Sequence, residues 1–107
     1  MFPLPKVAIS KIKTPVDEEK VINAVRNAVK LLGGMGTFVK RGEIVLIKPN
    51  VVGMAPPPQT TDPRVVKAVA LLVKEVGAKP IIGDGSGLTI TFPEGRGRNT
   101  KDILKVL

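Results

Sequence analysis

Four consecutive aliphatics, Ile44-Val45-Leu46-Ile47, stand between Glu43 and Lys48, and no other stretch limits the fold as tightly. A short, uninterrupted apolar run with three β-branched members reads as a strand buried on both faces. Strands of that kind belong to parallel sheets, and parallel neighbours are joined by crossover helices. The flanking segments supply the helices. After Pro15, the acidic run Asp17-Glu18-Glu19 suits a helix N-terminus. Val21, Ile22, Val25, Ala28, Val29 and Leu32 then recur at three- and four-residue intervals, and Gly33-Gly34 provides the stop.

A second helix is expected from Thr61-Asp62-Pro63, with Thr61 or Asp62 as cap and Pro63 in the first turn. Its stripe is Val65, Val66, Val69, Leu72, Val73 and Val76, and Gly77 ends it. Two more strands are expected. One covers residues 5–12, where apolar and polar residues alternate after Val7; the other is Lys79-Pro80-Ile81-Ile82-Gly83-Asp84. Pro80 sits at a strand start, where a missing ladder donor is tolerated. Between the first two helical blocks, Gly36 and Gly42 bracket a loop or hairpin-like connection. Residues 49–60 carry Pro56-Pro57-Pro58 and read as a semi-rigid extended loop. Thr89 to Gly97 is glycine-rich and poorly patterned. Asn99-Thr100-Lys101-Asp102 then resembles a cap, and Ile103, Leu104 and Leu107 begin another apolar stripe.

This order predicts an α/β fold, a three-layer βαβαβ arrangement with a small, mainly parallel sheet and right-handed crossovers. The 107 residues are read as a single α/β domain, 1–107, and as an incomplete version of a larger α/β fold. Several chemistries are excluded within the chain, because cysteine and histidine are both absent. There is no disulfide framework, no Cys/His zinc site, no thiol nucleophile and no Ser-His-Asp triad.

The chain carries 17 Lys+Arg against 9 Asp+Glu, a net charge of +8. That field attracts phosphates, nucleic acid and anionic surfaces. The lysines are scattered, with no run of five like charges and no interleaved aromatics. A nucleic-acid reading therefore rests on the tail, on Arg96, Arg98, Lys101 and Lys105. No apolar run is long enough to span a membrane, and Met1 to Lys6 lacks the pattern of a signal peptide. A cytoplasmic location and no membrane partner are expected. Scarce Gln, absent Cys and abundant Lys agree with a thermophilic source.

In open parallel sheets, ligands bind beyond the carboxyl ends of the strands. That rule selects Lys48, Asn50, Thr60 and Thr61 after the second strand, and Asp84, Gly85, Ser86 and Gly87 after the third. Each also has a plain structural reading. A strand-end lysine can snorkel, Asn50 can form a turn, the threonines can cap a helix, and Asp84 can be a turn residue. As a site, Lys48 would neutralise a small anion, while Thr60, Thr61 and the helix amides would hydrogen-bond it. Asp84 would serve as metal ligand or general base. The glycines around Ser86 allow close backbone approach, although their spacing does not make a dinucleotide fingerprint.

Three blocks, Val45-Leu46-Ile47-Lys48-Pro49-Asn50-Val51, Thr60-Thr61-Asp62-Pro63-Arg64-Val65-Val66-Lys67-Ala68-Val69 and Gly77 through Gly87, occur in that order. Together they resemble the N-terminal part of the prokaryotic family called domain of unknown function 362. The resemblance implies an α/β fold of undefined biochemical role and a chain that is one portion of a longer one. Members are often labelled iron–sulfur proteins; with no cysteine, this chain supplies no iron–sulfur cluster. A looser similarity, to the N-terminal architecture of lactate racemase-like proteins with a nickel-pincer cofactor, meets no histidine here.

The leading expectation is binding of a small anionic ligand at the sheet's carboxyl edge. The alternatives are a basic nucleic-acid-binding module and a non-catalytic assembly domain that pairs through open sheet edges. A homo-oligomer or a missing C-terminal portion is expected as partner. Catalysis requires groups from outside this chain, so whether the protein is an enzyme stays open at this point.

Overall fold

A computed structural model of the chain describes residues 4–50 and 56–84. Helix α1 spans Glu18–Leu31, strand β1 Ile44–Ile47, helix α2 Pro63–Val76 and strand β2 Lys79–Ile82, with a 3₁₀ turn over Met35–Thr37. The fold is α/β. The two strands pair in parallel, with Ile44 opposite Lys79 and Ile47 opposite Ile82. The ladder continues at its far end, where the Gly83 amide donates to the Ile47 carbonyl at 3.1 Å.

Local chemistry fixes the helix ends. Asp17 caps α1, its Oδ1 accepting from the Lys20 amide at 2.8 Å, with Glu18 and Glu19 in the first turn. Asp62 caps α2 and accepts from the Arg64 amide at 2.9 Å. Of the two caps the sequence allowed, the carboxylate is the one used. Gly77 ends α2 in the left-handed region at φ +89°, and a Cβ there would meet Arg41 Cγ at 3.0 Å. Only glycine holds that corner without strain.

The Asp62 cap is also an ion pair, because the Arg64 guanidinium donates to both carboxylate oxygens at 3.0 and 2.7 Å. That side-chain bond, helped by the Arg64 amide, holds the Asp62 carboxyl below its ordinary range despite some desolvation. A depressed folded-state pKa contributes stability above the unfolded pKa and loses it as pH falls through the folded one. Asp62→Ala should therefore cost about 1 kcal/mol at neutral pH. In paired urea melts the gap should narrow in acid, as the pH falls below the ordinary aspartate value of about 3.9. A gap unchanged there would show that the cap is not ionic.

Packing decides which faces are covered. Helix α2 lies on the sheet, and α1 lies against α2. Val39, Val73 and Ala78 form the innermost cluster, with Met35, Val45, Val69 and Val76 packed round it. Val21, Ala24, Val66, Ala68 and Leu72 are buried as well. On the solvent side, α1 and α2 are bridged by Arg26 to Glu75, bidentate at 2.7 and 2.8 Å, and by Lys67 to Glu18 at 2.9 Å. Both pairs are exposed and add little stability.

Two expectations are corrected. Residues 5–12 form no strand. Their alternation survives in exposure, since Val7, Ile9, Lys11 and Lys13 face out while Ala8, Ser10 and Ile12 are half-buried. Alternation specifies the face of a strand and not its partner, and no described strand pairs with this segment. The extended loop is the second correction. Residues 56–59 make a turn, closed by the Gln59 amide donating to the Pro56 carbonyl at 3.1 Å, with a cis bond between Pro57 and Pro58.

Among the described residues the sheet has two strands. Along both strands exposure alternates: Val45, Ile47, Pro80 and Ile82 are half-buried, while Ile44, Leu46, Lys79 and Ile81 are exposed.

Candidate functional site

Lys48 follows Ile47 directly at the carboxyl end of β1, and Asp84 comes two residues after Ile82 at the carboxyl end of β2. Parallel pairing puts both ends on one edge. Lys48 Nζ lies 3.2 Å from Asp84 Oδ1. The two members differ in exposure. The Lys48 side chain is 69% exposed and that of Asp84 only 13%. An exposed ammonium therefore sits over a largely covered carboxylate.

Asn50 and Thr61 form the frame beside this pair. The Asn50 amide donates to Thr61 Oγ1 at 2.8 Å, and the Thr61 amide donates back to the Asn50 carbonyl at 3.0 Å. Asn50 Nδ2 donates to the Gln59 carbonyl at 3.1 Å. Three bonds thus clamp the two ends of the loop between Asn50 and Thr61, and Pro49 beside them is buried. Thr60 is half-buried next to the clamp.

The threonines do not cap α2. Asp62 does, and its carboxylate takes the Arg64 amide that an incoming anion would otherwise meet. The Asp62 hydrogen bond in turn raises the Arg64 pKa, so that guanidinium stays charged and committed to its neighbour. Lys48, by contrast, keeps a mostly exposed side chain beside Asp84.

Gly85, Ser86 and Gly87 lie outside the described residues, and so do Arg96, Arg98, Lys101 and Lys105. Among the described residues, no group of three or more His, Cys, Asp or Glu is placed to hold a metal ion. No described helix is long and apolar enough to cross a membrane.

One feature had no signal in the sequence. A groove of ≈ 310 Å³ runs between α1 and α2, with Val29, Met35, Leu72 and Val76 along it and the Arg26–Glu75 pair at its rim. Arg26 and Glu75 are 49 residues apart, and neither stands in a local pattern that points to the other. The Arg26 hydrogen bond lowers the Glu75 pKa, so both stay ionised.

Residues 45–107 match the family model described as "Domain of unknown function (DUF362)". The thylakoid-associated protein sll1697 of Synechocystis sp. (strain ATCC 27184 / PCC 6803 / Kazusa) is 48% identical over 66 residues, 60% of this chain and 21% of that protein. The chain therefore spans about a fifth of that relative's length. No solved structure gives a significant match.

Proposed function

We propose a role from one premise: the chain belongs to the family described as "Domain of unknown function (DUF362)". The role is binding of a small anionic ligand at the carboxyl edge of the parallel sheet, with Lys48 as the charge that meets it. The observation that carries this reading is the Lys48–Asp84 pair at 3.2 Å, its lysine side chain 69% exposed. Two residues 36 positions apart converge where parallel sheets hold ligands. Asp84 holds the ammonium over the edge and does not bury it. An anion approaching from solvent meets the cation first and shares it with Asp84. Asn50 and Thr61 keep the neighbouring loop ends in place, and Thr60 and the Gly85–Ser86–Gly87 stretch complete the proposed set.

Titration of the ¹⁵N-labelled chain with phosphate, acetate and a nucleoside monophosphate tests this. At least one should move the amides of residues 48, 50, 59–61 and 83–84, and Lys48→Gln should abolish the movement. No shift with any of the three, or equal shifts in the variant, overturns the reading. The cytoplasm is the proposed location. The relative's name links that protein to the thylakoid, so fractionation of the native host between membrane and soluble pools is the direct check.

A further inference from the structure

Val39, Val73 and Ala78 pack together in the innermost cluster, and the residue after each is a lysine: Lys40, Lys74 and Lys79. The core thus gathers at one edge lysines that lie far apart along the chain. Arg41 joins them through its side-chain stem, since a Cβ on Gly77 would meet Arg41 Cγ at 3.0 Å. Two backbone bonds hold this edge together. The Gly42 amide donates to the Gly77 carbonyl at 3.0 Å, and the Lys79 amide to the Glu43 carbonyl at 2.8 Å. It is the amino edge of the sheet, and four-residue strands separate it by ~13 Å from the Lys48 edge.

All four cations are exposed, and none forms an ion pair among the described residues. Arg26, Lys48, Arg64 and Lys67 each do. Of the acids nearby, Glu75 is held by Arg26, and Glu43 accepts from the Lys40 amide at 2.8 Å. Four unpaired cations therefore outweigh the charge of Glu43. Their anchors are close: Lys74 stands ~5 Å before Gly77 along the helix axis, and Lys79 follows it by two residues, at most ~7 Å. Phe38, the one aromatic among the described residues, is 60% exposed and two residues before Lys40. Bases stack on exposed rings and phosphates seek cations, so a ring beside unpaired positive charge suits a strand with unpaired bases. A purely polyanionic partner has no use for the ring.

We infer that this edge binds single-stranded nucleic acid, with Lys40, Arg41, Lys74 and Lys79 on the phosphates and Phe38 against a base. The contact is separate from anion binding at Lys48, and neither depends on the other.

Fluorescence anisotropy of the full chain with labelled oligo(dT) and oligo(U) of about 15 nucleotides tests this. Four phosphate contacts, at ~0.7 each, give an expected slope of about −2.8 for log affinity against log salt. Lys40→Gln combined with Lys79→Gln should halve that slope. Phe38→Ala should weaken binding by about 5–150-fold at fixed salt, with unchanged amide spectra of α1 and α2 reporting an intact fold. An unchanged slope in the double variant, or unchanged affinity in Phe38→Ala, overturns the proposal. So does binding that is lost with Arg96→Gln and Arg98→Gln instead, which would place the contact on the tail. Adsorption to phosphatidylglycerol vesicles with no binding to either oligonucleotide overturns it as well.

Discussion

Leu72→Ala is expected to lower the stability of the chain by ~2–5 kcal/mol. Leu72 is 5% exposed and sits on α2 where that helix meets Val29 and Met35 across the groove. Truncation removes three side-chain carbons from a buried position. It also leaves a cavity that rigid helix backbones close only in part. Domains of this size are stable by ~5–15 kcal/mol, so the variant forfeits a large share of the total. A thermal midpoint lower by ~10 °C or more should follow, at ~4–8 °C per kcal/mol. The contrast is Leu31→Ala. Leu31 is 67% exposed, and its truncation should cost far less than Leu72→Ala in the same melt. Equal losses at the two positions would mean that the groove wall is not part of the core.

The second large effect concerns the charge pair, and its two halves carry opposite signs. If Lys48 receives the anion, Lys48→Gln removes a charge-assisted bond worth ~1.5–3 kcal/mol, a ~10–150-fold loss of affinity. Asp84→Asn should do the reverse. It removes the carboxylate that holds the ammonium at 3.2 Å and repels an incoming anion, so affinity should rise. Isothermal titration with the anion that moves the amides measures both. A fall in both variants would instead make Asp84 part of the binding set, as expected for a cation or a proton-bearing ligand. Salt provides an independent check, since screening weakens an exposed ion–ligand contact more than a covered one.

Much of the fold was legible along the chain because its signals are local. The stripes of α1 and α2, the Gly33-Gly34 and Gly77 stops and the run 44–47 each depend on neighbours within a turn or a strand. They fall where the elements are. The alternation over residues 5–12 is also local, and there it misled. A strand needs a ladder partner as well as a pattern, and the partner is not written within those eight residues. The proline triplet failed for a related reason: composition favoured extension, and the closing contact from Gln59 to Pro56 made a turn. The site was half legible. Strand-end position singled out Lys48 and Asp84, but nothing local distinguished Thr61 from Asp62 as the cap. Nor did anything local reveal that Asn50 would clamp the loop.

By itself, the sequence determined helices α1 and α2, strands β1 and β2 and the order of these four, because periodicity, capping and aliphatic runs act within a few residues. It also settled which chemistries are absent, since no fold creates a thiol or an imidazole. The tertiary structure decided who meets whom. It brought Arg26 to Glu75 across 49 residues, set an exposed Lys48 over a covered Asp84, and left Ile44, Leu46 and Ile81 on an open face. Those outcomes depend on how α2 crosses the sheet and where α1 stacks. They follow from the packing of whole elements, which no local pattern encodes.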